Sequence, residues 1–123
     1  MGLYREEETF KIIGVCMEVH RNLGPGLLEV VYKDALEIEF KANNLPFERK
    51  KEFSIEYKGI ILPHKFYADF IVNEDIVLEV KAVKEFSGEH TAQVLNYMKL
   101  SESEIGLLVN FQNKSLQHKR LVF

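Results

Sequence analysis

Residues 66–81, FYADFIVNEDIVLEVK, contain two runs in which apolar residues alternate with other residues, and this pattern decides the fold. Alternation with a period of two is typical of β-strands that bury one face. Asn73 and Glu74 separate the two runs, and residues of this kind are frequent in turns. The stretch therefore predicts two adjacent antiparallel strands joined by a short turn.

The register of these two strands follows from their apolar faces. A sheet keeps one apolar face toward a core, so we expect Phe70 to pair with Leu78. That register places Asp69 opposite Glu79 only if the turn contains an odd number of residues or an equivalent bulge. The same register pairs Ala68 with Val80 and Tyr67 with Lys81.

Asp69 and Glu79 would then be two carboxylates at opposed strand positions. Opposed Cβ atoms lie only about 4.5–5.5 Å apart, so the like charges repel unless a cation lies between them. Hard oxygen ligands suit Mg²⁺, which keeps several waters and binds substrate phosphates. Lys81, on the same face, can hold the attacking water or stabilise charge on a phosphoryl group.

The same charges are also consistent with a solvated, salt-bridged sheet face. On the pattern alone, this reading and a catalytic site are about equally favoured. Ile71 and Val77 lie on the same face, which favours a face that is partly covered. Burying unpaired carboxylates without a ligand is costly. A sheet face that is partly covered therefore favours a catalytic site with a bound cation over a solvated, salt-bridged face.

The rest of the chain predicts further helices and strands around this pair. Gly24, Pro25 and Gly26 end a first helix before a second begins. From position 47 the period changes from helical to strand-like. The predicted order is helices at about 4–23 and 27–42, strands at 47–57, 60–72 and 75–83, a helix at 87–100, and strands at 104–111 and 116–123.

Glu29 lies within the apolar arc of the second helix. A Glu on a buried arc needs a partner, and the carboxylate pocket is a candidate. Glu39 also falls within the arc, so a structural explanation for Glu29 is at least as well supported. The arc itself is predicted to contain Leu28, Val31, Tyr32, Ala35, Leu36, Ile38 and Phe40.

His90, Gln93 and Tyr97 form a polar and aromatic stripe on the third helix. Gln93 could orient a carboxylate or bind phosphate, while Tyr97 could stack on a base or donate a hydrogen bond. As a pattern this is weak, because a helical Tyr is more often core and His90 more often a surface residue of the first turn.

Composition limits the class of protein. The 123 residues predict a single domain, 1–123, and contain 46% apolar and 28% charged residues. A lone cysteine, Cys16, excludes an intrachain disulfide and a cysteine cluster for metal, which favours a cytoplasmic location. No membrane segment or signal peptide is expected.

A net charge of −3 argues against a protein that coats nucleic acid by charge alone. Any contact with nucleic acid should therefore involve a local basic rim.

Several motifs together resemble a known family. Asp69, nine intervening residues and Glu79-Val80-Lys81 are similar to the signature of the PD-(D/E)XK nuclease superfamily. Gln93 and Tyr97 match the QxxxY spacing of its RecB-like branch. Residues 26–32, GLLEVVY, resemble the GxxExxY protein family, which is placed in that superfamily.

The resemblance implies a restriction-endonuclease-like α/β core, α-β-β-β-α-β, with a mixed central sheet flanked by helices and an extra N-terminal helix. It implies that Lys81 is catalytic and that Mg²⁺, or Mn²⁺ as a substitute, is bound by Asp69, Glu79, the Val80 carbonyl and Glu29. Two departures stand out: Ala68 replaces the proline of the signature, and Lys119-Arg120 replaces paired arginines. The implied substrate-binding residues are Gln93, Tyr97, His90 and Arg120.

The leading hypothesis is a Mg²⁺-dependent nuclease that hydrolyses phosphodiester bonds, with DNA as the expected substrate. The main alternative is a nuclease-fold nucleic-acid-binding or regulatory module with little or no turnover. A structural partner that dimerises through an edge strand or the N-terminal helix is a third hypothesis. A Holliday-junction resolvase is disfavoured by the net charge, and a homodimer or larger partner would help so small a domain grip a duplex.

Overall fold

The computed structural model describes residues 5–123, which form helices and strands in the predicted order. No helix in this part of the chain is long and apolar enough to cross a membrane. The predicted start of the first helix at Tyr4 lies outside the described residues. The elements are α1 (Glu6–Leu23), α2 (Glu29–Ala42), β1 (Phe47–Tyr57), β2 (Ile60–Val72), β3 (Ile76–Lys81), α3 (Gly88–Ser101), β4 (Ile105–Asn110) and β5 (Gln117–Val122).

The strands form one mixed sheet in the order β1-β2-β3-β4-β5. β3 and β4 are parallel, and α3 connects them, whereas the other neighbours are antiparallel. Parallel strands need such a crossover, and a helix is its usual form. This architecture confirms the predicted restriction-endonuclease-like core with an extra N-terminal helix.

The turn between β2 and β3 contains an odd number of residues, as predicted. Phe70 pairs with Leu78 and Val72 with Ile76, so the turn consists of the three residues 73–75. Asn73 and Glu74 adopt the left-handed backbone region, with φ of 50° and 71°. The hydrogen-bonded pairing of β2 with β3 ends at Phe70 and Leu78. The expected pairs Ala68–Val80 and Tyr67–Lys81 are therefore not part of the ladder.

Helices cover both faces of the sheet. One core lies beneath α1 and α2, where Tyr32, Leu36 and Phe40 are fully buried. The second core lies beneath α3 and includes Val77, Val94, Met98 and Leu108. These two layers place α2 and α3 on opposite sides of the strands that carry the predicted acids.

The apolar arc predicted for α2 is too wide. Leu28 and Ile38 were expected in the core, but their side chains are 75% and 67% exposed. α2 packs through the narrow stripe of Tyr32, Leu36 and Phe40, which repeats every four residues. Residues at the margins of that stripe therefore reach solvent.

Gly106 of β4 allows α3 to approach the sheet closely. A Cβ atom at this position would lie 2.5 Å from Val94 Cγ1 and 2.6 Å from Met98 Sδ. Only glycine leaves room for these side chains without a shift of the helix. The position of α3 over β3 and β4 therefore depends on this residue.

β1 and β2 extend beyond the rest of the sheet. β3 pairs with β2 only at residues 70–72, whereas β1 and β2 remain paired as far as Tyr57 and Ile60. Lys58 and Gly59 form the two-residue turn, with φ of 50° and 81°. Residues 54–65 thus form a two-stranded extension, which we call the β-arm.

Candidate active site

Asp69 and Glu79 meet where the pairing of β2 with β3 ends. The backbone N–H of Asp69 donates to Glu79 Oε1 at 2.8 Å, and that of Val80 donates to Asp69 Oδ2 at 2.8 Å. Each carboxylate therefore accepts an N–H from the opposite strand. The acidic side chains take the place of ladder hydrogen bonds and lie between the separating strands.

Glu79 is the more deeply buried acid, with 2% of its surface exposed. Burial raises the pKa of its carboxyl group to about 9, and the neighbouring Asp69 carboxylate adds to the rise. The Lys81 ammonium acts in the opposite direction, but more weakly. Because burial is the largest of these effects, the fold favours the protonated form of Glu79.

Lys33 of α2 forms an ion pair with Asp69. Its Nζ atom lies 2.8 Å from Asp69 Oδ1, and both side chains are largely buried, at 22% and 15% exposure. Lys33 is not among the site residues predicted from the sequence. A signal was present, because Lys33 follows Glu29 by four residues and therefore lies on the same helix face. The cation nearest Asp69 thus comes from α2.

Glu29, the first residue of α2, lies at the end of β3. Its Oε2 atom accepts the backbone N–H of Ala82 at 3.3 Å, one residue beyond Lys81. Within residues 5–123, no three His, Cys, Asp or Glu side chains are close enough together to hold a metal ion. Glu29 therefore borders the site in this conformation without joining Asp69 and Glu79 in a cluster.

A groove of about 490 Å³ opens between the end of β3 and α3. Lys81 forms one wall and the predicted polar stripe of α3 forms the other. Phe66 of β2 completes a third side. The groove thus brings together Lys81, His90, Gln93 and Tyr97.

Tyr97 links this groove to the two acids. Burial raises the pKa of its hydroxyl, with smaller contributions from the negative charges of Glu79 and Asp69. A hydrogen bond from Gln93 acts in the opposite direction. Tyr97 therefore remains a neutral phenol, able to donate a hydrogen bond beside the acids.

His90 has a structural partner as well as a place in the groove. Its Nδ1 atom accepts the backbone N–H of Ser87 at 3.0 Å, completing a capping box at the start of α3. Its ring also packs edge-on against Phe86. The imidazole therefore holds the N-terminus of α3 at the edge of the groove.

Arg120 lies away from the groove. It pairs with Leu107, whose side chain belongs to the core beneath α1 and α2, and it lines a separate cavity of about 450 Å³ beside α1. Lys119 is directed toward α3, where its Nζ lies 3.3 Å from Thr91 Oγ1. Because strand neighbours point to opposite faces, the structure does not bring Arg120 together with the other predicted site residues.

Comparison with known proteins gives the family. The chain belongs to the PD-(D/E)XK nuclease superfamily, whose profile matches residues 6–121. The crystal structure of SSO0001 is also similar, with a TM-score of 0.59 and 26% sequence identity. That similarity covers 75% of this chain and 48% of SSO0001, so the match spans about half the length of that protein. A search of curated proteins found no match.

Proposed function

We propose that this protein is a divalent-metal-dependent nuclease that hydrolyses phosphodiester bonds in DNA, within the GxxExxY branch of its superfamily. The observation that carries the proposal is the meeting of Asp69 and Glu79 between two separating strands, beside a groove that contains Lys81. A nuclease-type function is the coarser conclusion that superfamily membership supports.

The chemistry of the donor set fits a hard divalent cation. Two carboxyl groups are held together with little solvent, and once both are ionised a bound cation would relieve their repulsion. Carboxylate and carbonyl oxygens suit Mg²⁺, with Mn²⁺ as a substitute. Asp69, Glu79, the Val80 carbonyl and Glu29 are the groups that we assign to this cation. Such an ion polarises a phosphodiester and lowers the pKa of a bound water.

Loading the site requires two changes in the chain's own residues. Glu79 must lose its proton, which its buried position opposes in the metal-free state. Lys33 must release Asp69, since its ammonium occupies one carboxylate oxygen. In both changes the cation replaces a group that already compensates the charge of an acid. These groups are the proton on Glu79 and the ammonium of Lys33 beside Asp69.

Lys81 is the group that we assign to transition-state stabilisation. It follows Glu79 by two residues, and its side chain borders the groove. An ammonium here can stabilise charge that develops on the phosphoryl oxygens and orient the attacking water. Gln93 and Tyr97, on the opposite wall, supply neutral hydrogen-bonding groups for a phosphate or base. We assign His90 a contact with substrate at the mouth of the groove.

The leading alternative is a binding or regulatory module with the same fold. The Lys33–Asp69 ion pair favours it, because this pair and a protonated Glu79 already satisfy the acids without metal. A domain of this size offers little area for a duplex, so a homodimer or larger partner is part of either proposal.

The test is a titration of Mg²⁺ and Mn²⁺ against labelled single- and double-stranded DNA and RNA. Wild type is compared with Lys81→Ala and with Lys84→Ala, an exposed lysine three residues later. We expect metal-dependent cleavage of DNA by wild type and Lys84→Ala, and its loss in Lys81→Ala. Metal-independent binding without cleavage, unaffected by Lys81→Ala, would support the binding module instead.

A further inference from the structure

The tip of the β-arm exposes a cluster of large apolar side chains. Tyr57, Ile60 and Ile61 are 59%, 68% and 65% exposed, and Leu62 follows at 36%. Consecutive strand residues point to opposite faces, so Ile60 and Ile61 make both faces of the tip apolar. Among residues 5–123, no element packs over this tip. Such a cluster on a projecting hairpin indicates a binding surface.

The arm is bent, and its tip carries one exposed cation, Lys58, and one exposed anion, Glu56. Ser54 pairs with Lys65, and the next pair toward the tip is Glu56 with Ile61. One residue of β1 but three residues of β2 lie between these two pairs. A bulge of this kind bends a strand pair. Lys58 at the turn and His64 in the bulge are both exposed. Near the base the charges are compensated, since Lys65 lies 3.6 Å from Glu52.

The arm begins at the wall of the groove. Phe66, which directly follows the arm in β2, lines the groove opposite Gln93 and Tyr97. A nucleic acid held in the groove would therefore lie beside the base of the arm. This continuity favours nucleic acid over a protein partner as the occupant of the tip.

We propose that the β-arm is a wedge that inserts its apolar tip between stacked bases of the nucleic acid bound at the active site. The proposal rests on the proposed nuclease function. An apolar tip with two faces suits insertion between two base planes, because each face then meets a base. Lys58, beside the tip, contacts the phosphate backbone of the same strand. The preferred substrate is DNA with a mismatch or an unpaired stretch, since these bases are the least costly to unstack.

The experiment measures binding and unstacking in the Lys81→Ala background, so that DNA is not cut. The probe is a DNA duplex with 2-aminopurine beside a single mismatch, compared with the fully paired duplex. Ile60→Ser combined with Ile61→Ser removes the wedge at two exposed positions. Ile38→Ser, at an equally exposed position of α2, is the matched control. Lys58→Ala tests the phosphate contact separately.

We expect 2-aminopurine fluorescence to rise on binding, more for the mismatched duplex. The double substitution should abolish the rise and weaken binding about tenfold, the scale of one lost base-stacking contact. Lys58→Ala should reduce the slope of log affinity against log salt by about 0.9. Ile38→Ser should behave as its parent.

An unchanged fluorescence rise and affinity in the double variant would overturn the wedge. A shift of the double variant from dimer to monomer in sedimentation, with unchanged DNA binding, would overturn it in favour of a second copy of the chain. The same two Ile→Ser substitutions are also made in the wild-type chain, where Lys81 is intact. If wild type cuts DNA and these substitutions leave both cutting and binding unchanged, only the wedge fails. If wild type neither binds nor cuts any nucleic acid, the proposed function fails with it. If wild type binds nucleic acid without cleaving it, and the two Ile→Ser substitutions weaken that binding, the wedge is supported. Only the catalytic part of the proposed function is then contradicted.

Discussion

Substitution of Glu79 by Gln should remove much of the pH dependence of stability in the metal-free protein. The folded state raises the pKa of Glu79 from its ordinary value of 4.5 to about 9, so the folded chain keeps a proton that the unfolded chain loses. Stability from this group is therefore fully present below pH 4.5 and is lost as the pH rises toward 9. Gln cannot ionise and should not show this loss.

The magnitude follows from the linkage between proton binding and folding. Each pH unit within this window costs about 1.4 kcal/mol, so the loss between pH 5 and pH 8 is on the order of 4 kcal/mol. For a domain of this size, that corresponds to a fall in Tm of about 15 °C. Added Mg²⁺ should restore the stability of wild type at pH 8, because it binds the ionised form, and should have little effect on Glu79→Gln.

The assay is thermal unfolding in EDTA from pH 5 to pH 8, with Glu85→Gln as the control for the same change at an exposed site. Wild type and the control should lose stability together, and Glu79→Gln should lose much less. If Tm falls in parallel for all three proteins, Glu79 is not held protonated by the fold. The account of the acidic pair would then be wrong.

Four other substitutions test the site and its support. Lys81→Ala should lower kcat about 100-fold or more in single-turnover cleavage, because a lost electrostatic donor acts on the transition state. DNA affinity, measured by binding, should change little. An equal loss in affinity would contradict this assignment. Asp69→Asn should raise the Mg²⁺ concentration for half-maximal rate, and an unchanged metal titration would remove Asp69 from the ligand set. Lys33→Met should tighten metal binding in calorimetry about fivefold, which corresponds to about 1 kcal/mol for a partly buried ion pair, whereas Lys33→Arg should not. Gly106→Ala should lower the free energy of unfolding by about 1–3 kcal/mol, because the added Cβ would contact Val94 and Met98, and an unchanged Tm would show that α3 can shift freely.

The elements and the strand pairing were predictable because they depend on local periodicity. The strand bounds at 47–57 and 60–72 match β1 and β2. The pairing of Phe70 with Leu78 followed from keeping one face of the sheet apolar. The turn between these strands has three residues, which agrees with the odd number that this pairing requires. Apolar alternation is a property of the chain itself, so no knowledge of the helices was needed.

Placement of the groups that surround the acids required the tertiary structure. Periodicity indicated that Asp69 and Glu79 belong to one site, but not that the strands separate there and that each carboxylate accepts an N–H from the opposite strand. Nor did it indicate how deeply Glu79 is buried, because burial depends on how α3 packs over the sheet.

By itself, the sequence determined the order of the elements, the register of β2 with β3 and the candidate acids, since each rests on spacing along one strand or helix. Only the tertiary structure decided that Lys33, rather than Glu29, reaches Asp69, and that Lys119, rather than Arg120, lies against α3. Contacts between layers depend on the distance and rotation of whole elements. Those quantities are set by packing across the entire core, and the spacing of residues within one element does not encode them.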